Sequence, residues 1–416
     1  MSQAPIHNGR KHLLIVTHNV AGEFKGGGIE VYQEQLKKIS GYYASMLYPT
    51  LIDGKPHWRL VYRGARVIDQ PLEHVKTGGR ARNAEGARLF RELLQRFKVD
   101  IVHFQHLLGL PLLLPQVCRE QDVPCVFTWH DHYLICQKYV LLDYNARYCN
   151  TLEEPVSQCD FCLQITHKAA PGSQTKRRNS VATILQAFNA IVFNTAFSRD
   201  AMMSIYPDAP IGGTHIIEMM MPHGAPKGQV STRNDTEELR VVIPGTFTTF
   251  KGAVPTIRLM AGMTHLPIRF TVLGPVHEDR IENLLKEVEL PNTKFVGGYV
   301  PEDAIKLMSE HDVSLHLTIA PESYMIALSE AWSAGIVPIV TNLGAPGERV
   351  QHGKNGFVVS PYSLGRLHDI LMDLHNDREK LRNMQNTARA TKVMSAKEHL
   401  TQIKALYDSL TDNRAP

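Results

Sequence analysis

One alternation constrains the fold of this chain more than any other feature. Through nearly all of it, a short apolar run gives way to a glycine or polar turn and then to a helical pattern. In the first half the runs are HLLIVTH (12–18), VDIVHFQ (99–105), CVFTWHD (125–131) and, as strand, turn and helix, AIVFNTAFSRDAM (190–202). The segment 219–240 is polar and Pro/Gly-rich at its centre and reads as a linker. A second series follows: LRVVIPGTF (239–247), RFTVLGP (269–275), TKFVGGYV (293–300), VSLHLTI (313–319), VPIVTN (337–342) and GFVVSP (356–361). Parallel strands covered on both faces need runs of this kind, and helices must cross between them. At 416 residues the chain is too long for one ordinary core. The expectation is an α/β protein with two doubly wound domains, 1–220 and 221–395, and a last helix, 396–416, that crosses back to the first. In such sheets ligands bind beyond the carboxyl ends of the strands.

The 43% hydrophobic and 21% charged content is that of a soluble globular protein. No apolar run approaches the roughly 20 residues that span a bilayer; the richest, HLLGLPLLLPQVC (106–118), is interrupted by Pro111 and Pro115. LLIV, after Arg10 and Lys11, is too short for a signal-peptide core, so a cytoplasmic protein is expected. The net charge is +4, but between Arg63 and Lys98 nine Lys or Arg stand against four Asp or Glu, and KRR follows at 176–178. This is either a solvated helix face or a basic surface toward anionic lipid or a phosphorylated acceptor. Nucleic acid is disfavoured, because no aromatic-interleaved basic motif accompanies the charge.

The stretch APESYMIALSEAWSAG (320–335) carries the chemistry. It reads as a buried helix, yet Glu322 stands at its mouth and Glu330 in its middle, with seven residues between them. A buried carboxylate without a partner costs several kcal/mol or gives up its charge. Glu330 therefore needs either a neighbouring Lys or Arg, or a ligand.

These residues resemble the E-x7-E signature of glycosyltransferase family 4 (glycosyl transferases group 1), retaining enzymes of the two-domain GT-B fold. Pro321, Tyr324, Ala331, Gly335 and Pro338 fit the pattern around it, as do Gly344, Pro346, Glu348, Gly353 and Gly356 in TNLGAPGERVQHGKNGFVV (341–359). PGTFTTFKG (244–252), with Gly245 and Lys251, resembles the family's phosphate loop, and MPHGAP (221–226) its interdomain turn. The resemblance implies two Rossmann-like domains facing each other across a cleft, the first for the acceptor and the second for a nucleotide sugar. It implies that Glu330 accepts from ribose hydroxyls, Glu322 faces the transferred sugar, and Lys251 neutralises the diphosphate. The helix start at Ser323, Tyr324, Met325 and Ile326 would offer N–H donors and the positive dipole end. Two departures stand out: Thr246 where the family places an arginine, with Arg349 and Lys354 as candidate substitutes, and Ser323 where glycine is common.

In the first half, His130 matches the family's histidine beside the reacting sugar, where it would shape the site without acting as a general base. Gly27 and Gly28 belong to a cluster that lets backbone approach diphosphate or acceptor closely; a plain turn is the other reading. His103 and His106 end another strand and either line the acceptor site or are structural. Cys136, Cys149, Cys159 and Cys162 are spaced C-x12-C-x9-C-x2-C within an insert at about 136–162. In a cytoplasmic chain this is either a four-thiolate structural zinc site or a set of buried thiols.

The resulting expectation is a retaining, metal-independent hexosyltransferase. It would use a UDP-, GDP-, ADP- or dTDP-sugar and a saccharide or lipid-linked acceptor in polysaccharide, lipopolysaccharide or glycolipid assembly, with peripheral contact to an anionic inner membrane face. Two rivals stay open at this point. One is a zinc-dependent hydrolase built on His103, His130, Asp131 and His132. The other is a non-catalytic nucleotide-sugar-binding protein, suggested by Thr246.

Overall fold

The computed structural model describes residues 9–20, 28–62, 65–71, 84–149, 155–209, 212–221 and 238–412. The chain divides into two compact units: Met1–Tyr144, Asn150–Pro222 and Ala396–Pro416 form one, Asn145–Cys149 and His223–Ser395 the other.

The first unit is built on strands β1 (Lys11–Val16), β2 (Tyr42–Ile52), β3 (Lys55–Tyr62), β4 (Ala65–Pro71), β5 (Ile101–Phe104), β6 (Cys125–Trp129), β7 (Ala190–Phe193) and β8 (Thr214–Ile216). Their order across the sheet is β4-β3-β2-β1-β5-β6-β7-β8. From β2 to β8 every pairing is parallel. Strands β5, β6 and β7 are buried along their whole length, which explains their unbroken apolar runs. Helices α1 (Gly28–Leu36), α2 (Ala84–Arg96), α3 (Leu114–Glu120), α4 (Val156–His167), α5 (Ser173–Leu185) and α6 (Ala196–Ile205) complete the windings. The core gathers Leu14, Val16, Phe104, Phe127, Trp129 and Phe193 from the strands with Phe90 from α2 and Val181 from α5.

The antiparallel edge β2-β3-β4 departs from the all-parallel expectation. Its signal was the dipeptide Asp53-Gly54. Both residues take positive φ, 50° and 72°, the requirement of a two-residue hairpin turn that matches strand twist. The basic stretch proves to be spread over this edge and α2. Within it Asp69 accepts from Arg59 of β3, Arg88 pairs with Glu92 and Arg91 with Glu120, and part of the stretch lies outside the described residues. The C-terminal helix (Ala396–Thr411) packs on this unit. Its Tyr407 hydroxyl is 2.5 Å from His103 Nδ1, Asp408 accepts from Tyr42 at 2.9 Å, and His399 meets Tyr32 at 3.0 Å.

The second unit is a six-stranded, wholly parallel sheet of β9 (Leu239–Pro244), β10 (Ile268–Leu273), β11 (Thr293–Phe295), β12 (Val313–His316), β13 (Val337–Thr341) and β14 (Phe357–Val359). The order is β11-β10-β9-β12-β13-β14. The winding reverses between β9 and β12, and it is beyond the carboxyl ends of the strands at such a switch point that a doubly wound sheet places its ligand crevice. Helices α7 (Ala253–Gly262), α8 (Asp279–Lys286), α9 (Ala304–Met308), α10 (Ile326–Ala334), α11 (Ala345–Arg349), α12 (Leu364–Asn376) and α13 (Arg378–Ala390) cover the sheet. Val241, Ile243, Phe270, Val272, Leu315 and Ile339 meet Ile257, Met260, Leu367 and Leu371 in its core. Among the described residues no helix is long and apolar enough to cross a membrane.

Candidate active site

In the second unit the residues singled out by the sequence converge on that crevice. The loop after β9 carries Gly245 (φ 93°) and Lys251, and ends at Gly252, whose φ of 83° caps α7. A Cβ at Gly252 would overlap the carbonyl of Leu317, so glycine is what lets this loop lie against the one after β12. Two hydrogen bonds to the Phe250 carbonyl tie the loops together, from Ile319 N–H at 3.0 Å and Thr318 Oγ1 at 3.0 Å. Across that seam the Lys251 ammonium is ion-paired with the Glu322 carboxylate.

Glu322 is fixed through its backbone. It bridges Gly344, and its carbonyl accepts from Ala345 N–H at 2.8 Å. Gly344 has φ 75°, and a Cβ there would sit 2.5 Å from that carbonyl oxygen. Beyond Glu322 the chain reaches Tyr324 and then Met325, which caps α10 with φ 68° and ψ 87°. A non-glycine residue held in this region stores strain of order 1–3 kcal/mol. In the first turn of α10, Leu328 N–H donates to the Met325 carbonyl at 3.2 Å, while the N–H groups of Ile326 and Ala327 come before the helix has an acceptor for them. Glu330 lies half-buried on α10, and burial pushes its carboxyl up to about 7. No hydrogen bond or ion pair among the described residues reaches it. Burial, with the nearby Glu330 carboxylate adding to it, pushes the Tyr299 phenol well up. His316 at the end of β12 is neutral, held down at about 3 by burial and by Lys251.

Arg349 does not take the place of the arginine missing at Thr246. Its Nη1 donates to the carbonyls of Tyr324 (2.8 Å) and Met325 (3.1 Å), its Nη2 to Ser329 Oγ (2.6 Å), and its guanidinium lies over the Tyr324 ring. Lys354 is exposed in the turn after α11. Sequence reasoning missed Glu278, whose carboxylate accepts from Thr249 N–H at 3.1 Å and Thr249 Oγ1 at 2.5 Å and so shapes the loop after β9. A glutamate beyond the next strand gives no motif by which to find it.

The first unit has its own switch point, between β1 and β5, and a histidine-rich cluster fills its carboxyl end. His130 follows β6, with Nε2 2.7 Å from Gln105 Oε1, its ring edge-on to Tyr32 and its pKa held down at about 3 by burial. His106 accepts Leu108 N–H on Nδ1 at 2.9 Å, so its Nε2 carries the proton and donates to Asp131 at 3.0 Å. Burial pushes the Asp131 carboxyl up, but His106 and the Tyr133 N–H outweigh it and hold it at about 2. His18, kept neutral by burial, packs its ring 4.4 Å from that of His106. His18, Gln105 and Asp131 were not assigned to the transferase site from the sequence; their position just past strands at the switch point was the available signal. Gly28 is exposed at the start of α1, and Gly27 lies outside the described residues.

Both zinc readings meet the same obstacle. Among the described residues, no group of three or more His, Cys, Asp or Glu is placed to hold a metal ion. For the hydrolase rival the reason is visible. Both ring nitrogens of His103 are taken by hydroxyls, Nδ1 by Tyr407 and Nε2 by Thr128 at 2.7 Å, and His132 lies edge-on to Phe197. In the insert, Cys159 faces the Arg178 guanidinium at 3.5 Å, and burial raises the thiols of Cys136 and Cys162. Cys149 belongs to the short segment grouped with the second unit.

Two family models match the chain, Glycosyltransferase Family 4 over residues 45–212 and Glycosyl transferases group 1 over residues 227–391. The chain is a family 4 glycosyltransferase. Sucrose-phosphate synthase from Thermosynechococcus elongatus superposes with a TM-score of 0.69 at 16% identity, over 97% of this chain and 100% of that one. The HepE protein of Anabaena in complex with UDP gives 0.66 at 14% identity, over 95% and 99%. At such identities the likeness is one of fold, and the fold is GT-B. A GDP-Man:Man(3)GlcNAc(2)-PP-Dol alpha-1,2-mannosyltransferase from Dictyostelium discoideum is 29% identical over 133 residues. The match takes in 30% of this glycosyltransferase and 26% of that relative, so the chain spans about a quarter of its length.

Proposed function

We propose that this glycosyltransferase takes a sugar from a nucleotide-sugar donor bound in its second unit, with retention of configuration and without a catalytic divalent metal. The observation that carries the reading is Glu330, a half-buried carboxylate that no hydrogen bond or ion pair reaches among the described residues. It stands about one helical turn from a strained helix start whose mouth holds Lys251 and Glu322. Ribose hydroxyls would supply the donors Glu330 lacks, and the α10 N–H groups and Lys251 would hold the diphosphate. Charge builds on that diphosphate as the glycosidic bond breaks, and fixed positive groups stabilise it there. Glu322, released from Lys251 by the phosphate, would accept from the sugar hydroxyls, and neutral His130 would contact the sugar from the acceptor side.

For the acceptor we propose a saccharide or lipid-linked saccharide in cell-surface polysaccharide assembly, reached from the cytoplasmic side with peripheral contact to anionic lipid. The exposed arginines Arg88 and Arg96 on α2 support the last element. The name of the mannosyltransferase relative, whose acceptor is a PP-Dol saccharide, supports a lipid-linked acceptor as the first class to assay.

The decisive experiment is thermal stability with UDP, GDP, ADP, dTDP and their sugars, in buffers with and without EDTA. A ligand at about 100 times its dissociation constant stabilises by roughly 2.7 kcal/mol. One nucleotide should raise the midpoint regardless of EDTA, and Glu330→Ala should abolish the rise. No response to any nucleotide would remove the donor-site reading.

A further inference from the structure

We infer that Arg349 is a positioning residue of the donor site, clamping the strained Tyr324–Met325 turn from which α10 starts. The inference rests on the donor-site reading above and adds to it a residue whose sequence position suggested a phosphate ligand.

The geometry is that of a splint. Helix α11 is attached at both ends to the segment that carries the two glutamates. At its start, Ala345 N–H donates to the Glu322 carbonyl at 2.8 Å. At its end, Arg349 donates to the carbonyls of Tyr324 and Met325 and to the Ser329 hydroxyl, the residue before Glu330. The guanidinium plane is also occupied, 3.8 Å from the Tyr324 ring centroid and 5.2 Å from that of Trp332. One side chain thus grips the turn, the helix and the aromatic wall behind them.

The turn needs such a grip. Met325 sits at φ 68° and ψ 87°, where a side chain with a Cβ is disfavoured. Its side chain is buried with Leu328, Trp332, Val340, Val350 and Ala388, so apolar packing pulls the residue into the interior while its backbone resists. Strain of this kind persists only where the surroundings over-determine it. Arg349 does so from the carbonyl side, fixing the direction in which the α10 N–H groups face the crevice. A lysine could make one of these bonds but neither the fork nor the stack.

The test is a double-mutant cycle on the full-length protein. The dissociation constant of whichever of UDP, GDP, ADP or dTDP binds the wild type is measured by calorimetry for R349M, R349K, M325G and M325G/R349M. Glycine removes the strain, so it should remove the need for the clamp. R349M should weaken binding about tenfold or more in the parent, and less than about threefold in the M325G background, with R349K in between. Equal losses in both backgrounds would make Arg349 a direct ligand or a general stabiliser and overturn the inference, as would no loss in the parent. If R349M does not fold, the same comparison is made with R349K against M325G/R349K. Wild-type binding that is lost in Glu330→Ala but retained in R349M would sink this inference alone. Nucleotide binding that survives Glu330→Ala would sink the donor-site reading and the clamp's role in it together.

Discussion

Lys251 and Glu322 form an ion pair with each other, across the seam between the loops leaving β9 and β12. In the proposed donor site both residues contact the donor, so donor binding would separate them. Lys251→Ala should reduce kcat/KM about 10²-fold, the size of effect seen when one fixed donor to developing charge is lost. Affinity for the free nucleoside, which carries no phosphate, should stay within twofold of wild type. A nucleoside affinity that fell in parallel would move Lys251 out of the phosphate site.

Glu330 makes the second prediction, through pH. Burial raises its pKa from 4.5 to about 7. The folded protein therefore keeps a proton that the unfolded chain releases, and stability falls as pH rises from about 4.5 through about 7. Glu330→Gln should flatten this part of the stability profile and make the ligand-free protein more stable than wild type at pH 8. In the proposed donor site Glu330 accepts from the ribose as a carboxylate, so wild-type affinity should tighten as pH rises through about 7, up to about tenfold per unit below it. Urea melts and nucleotide titrations at pH 5.5 and 8 check both. Parallel profiles in wild type and variant would show that another group titrates.

The parts that were legible in the sequence share a physical cause. Strands buried on both faces read as apolar runs, so β5, β6, β7 and β13 stood out, while Gly245, Lys251 and Glu322 were marked by their resemblance to family motifs. The antiparallel edge was less visible, because β2 and β3 are long and only Asp53-Gly54 announces the hairpin. The role of Arg349 could not be read at all. A guanidinium four residues past Ala345 looks the same whether it faces a phosphate or two carbonyls, and only the backbone angles of Met325 decide. The same limit applied to His103, whose strand-end position suggests a ligand while both its nitrogens are spent on hydroxyls.

The insert cysteines give a third prediction. Burial raises the thiols of Cys136 and Cys162, so both are protonated and slow to react at neutral pH. A disulfide-exchange reagent should modify them much more slowly in the native protein than after unfolding. Dialysis against EDTA should leave the melting temperature unchanged. Release of one zinc per chain with a fall in melting temperature would instead restore the four-thiolate reading.

The last prediction concerns the C-terminal helix. His103 is fully buried and neutral, and among the described residues its Nδ1 meets the Tyr407 hydroxyl alone, which the helix carries into the first unit. Tyr407→Phe keeps the ring and its packing but leaves a buried imidazole nitrogen with no partner. The cost should be about 1–3 kcal/mol, read as a lower urea midpoint with an unchanged slope. Thr128→Val would strand the other nitrogen, and since the two hydroxyls serve one ring, the double variant should cost less than the sum of the singles. Nucleotide affinity should be untouched in all three, because none of these groups belongs to the second unit. A variant that weakened nucleotide binding as much as it lowered stability would tie this histidine to the donor after all.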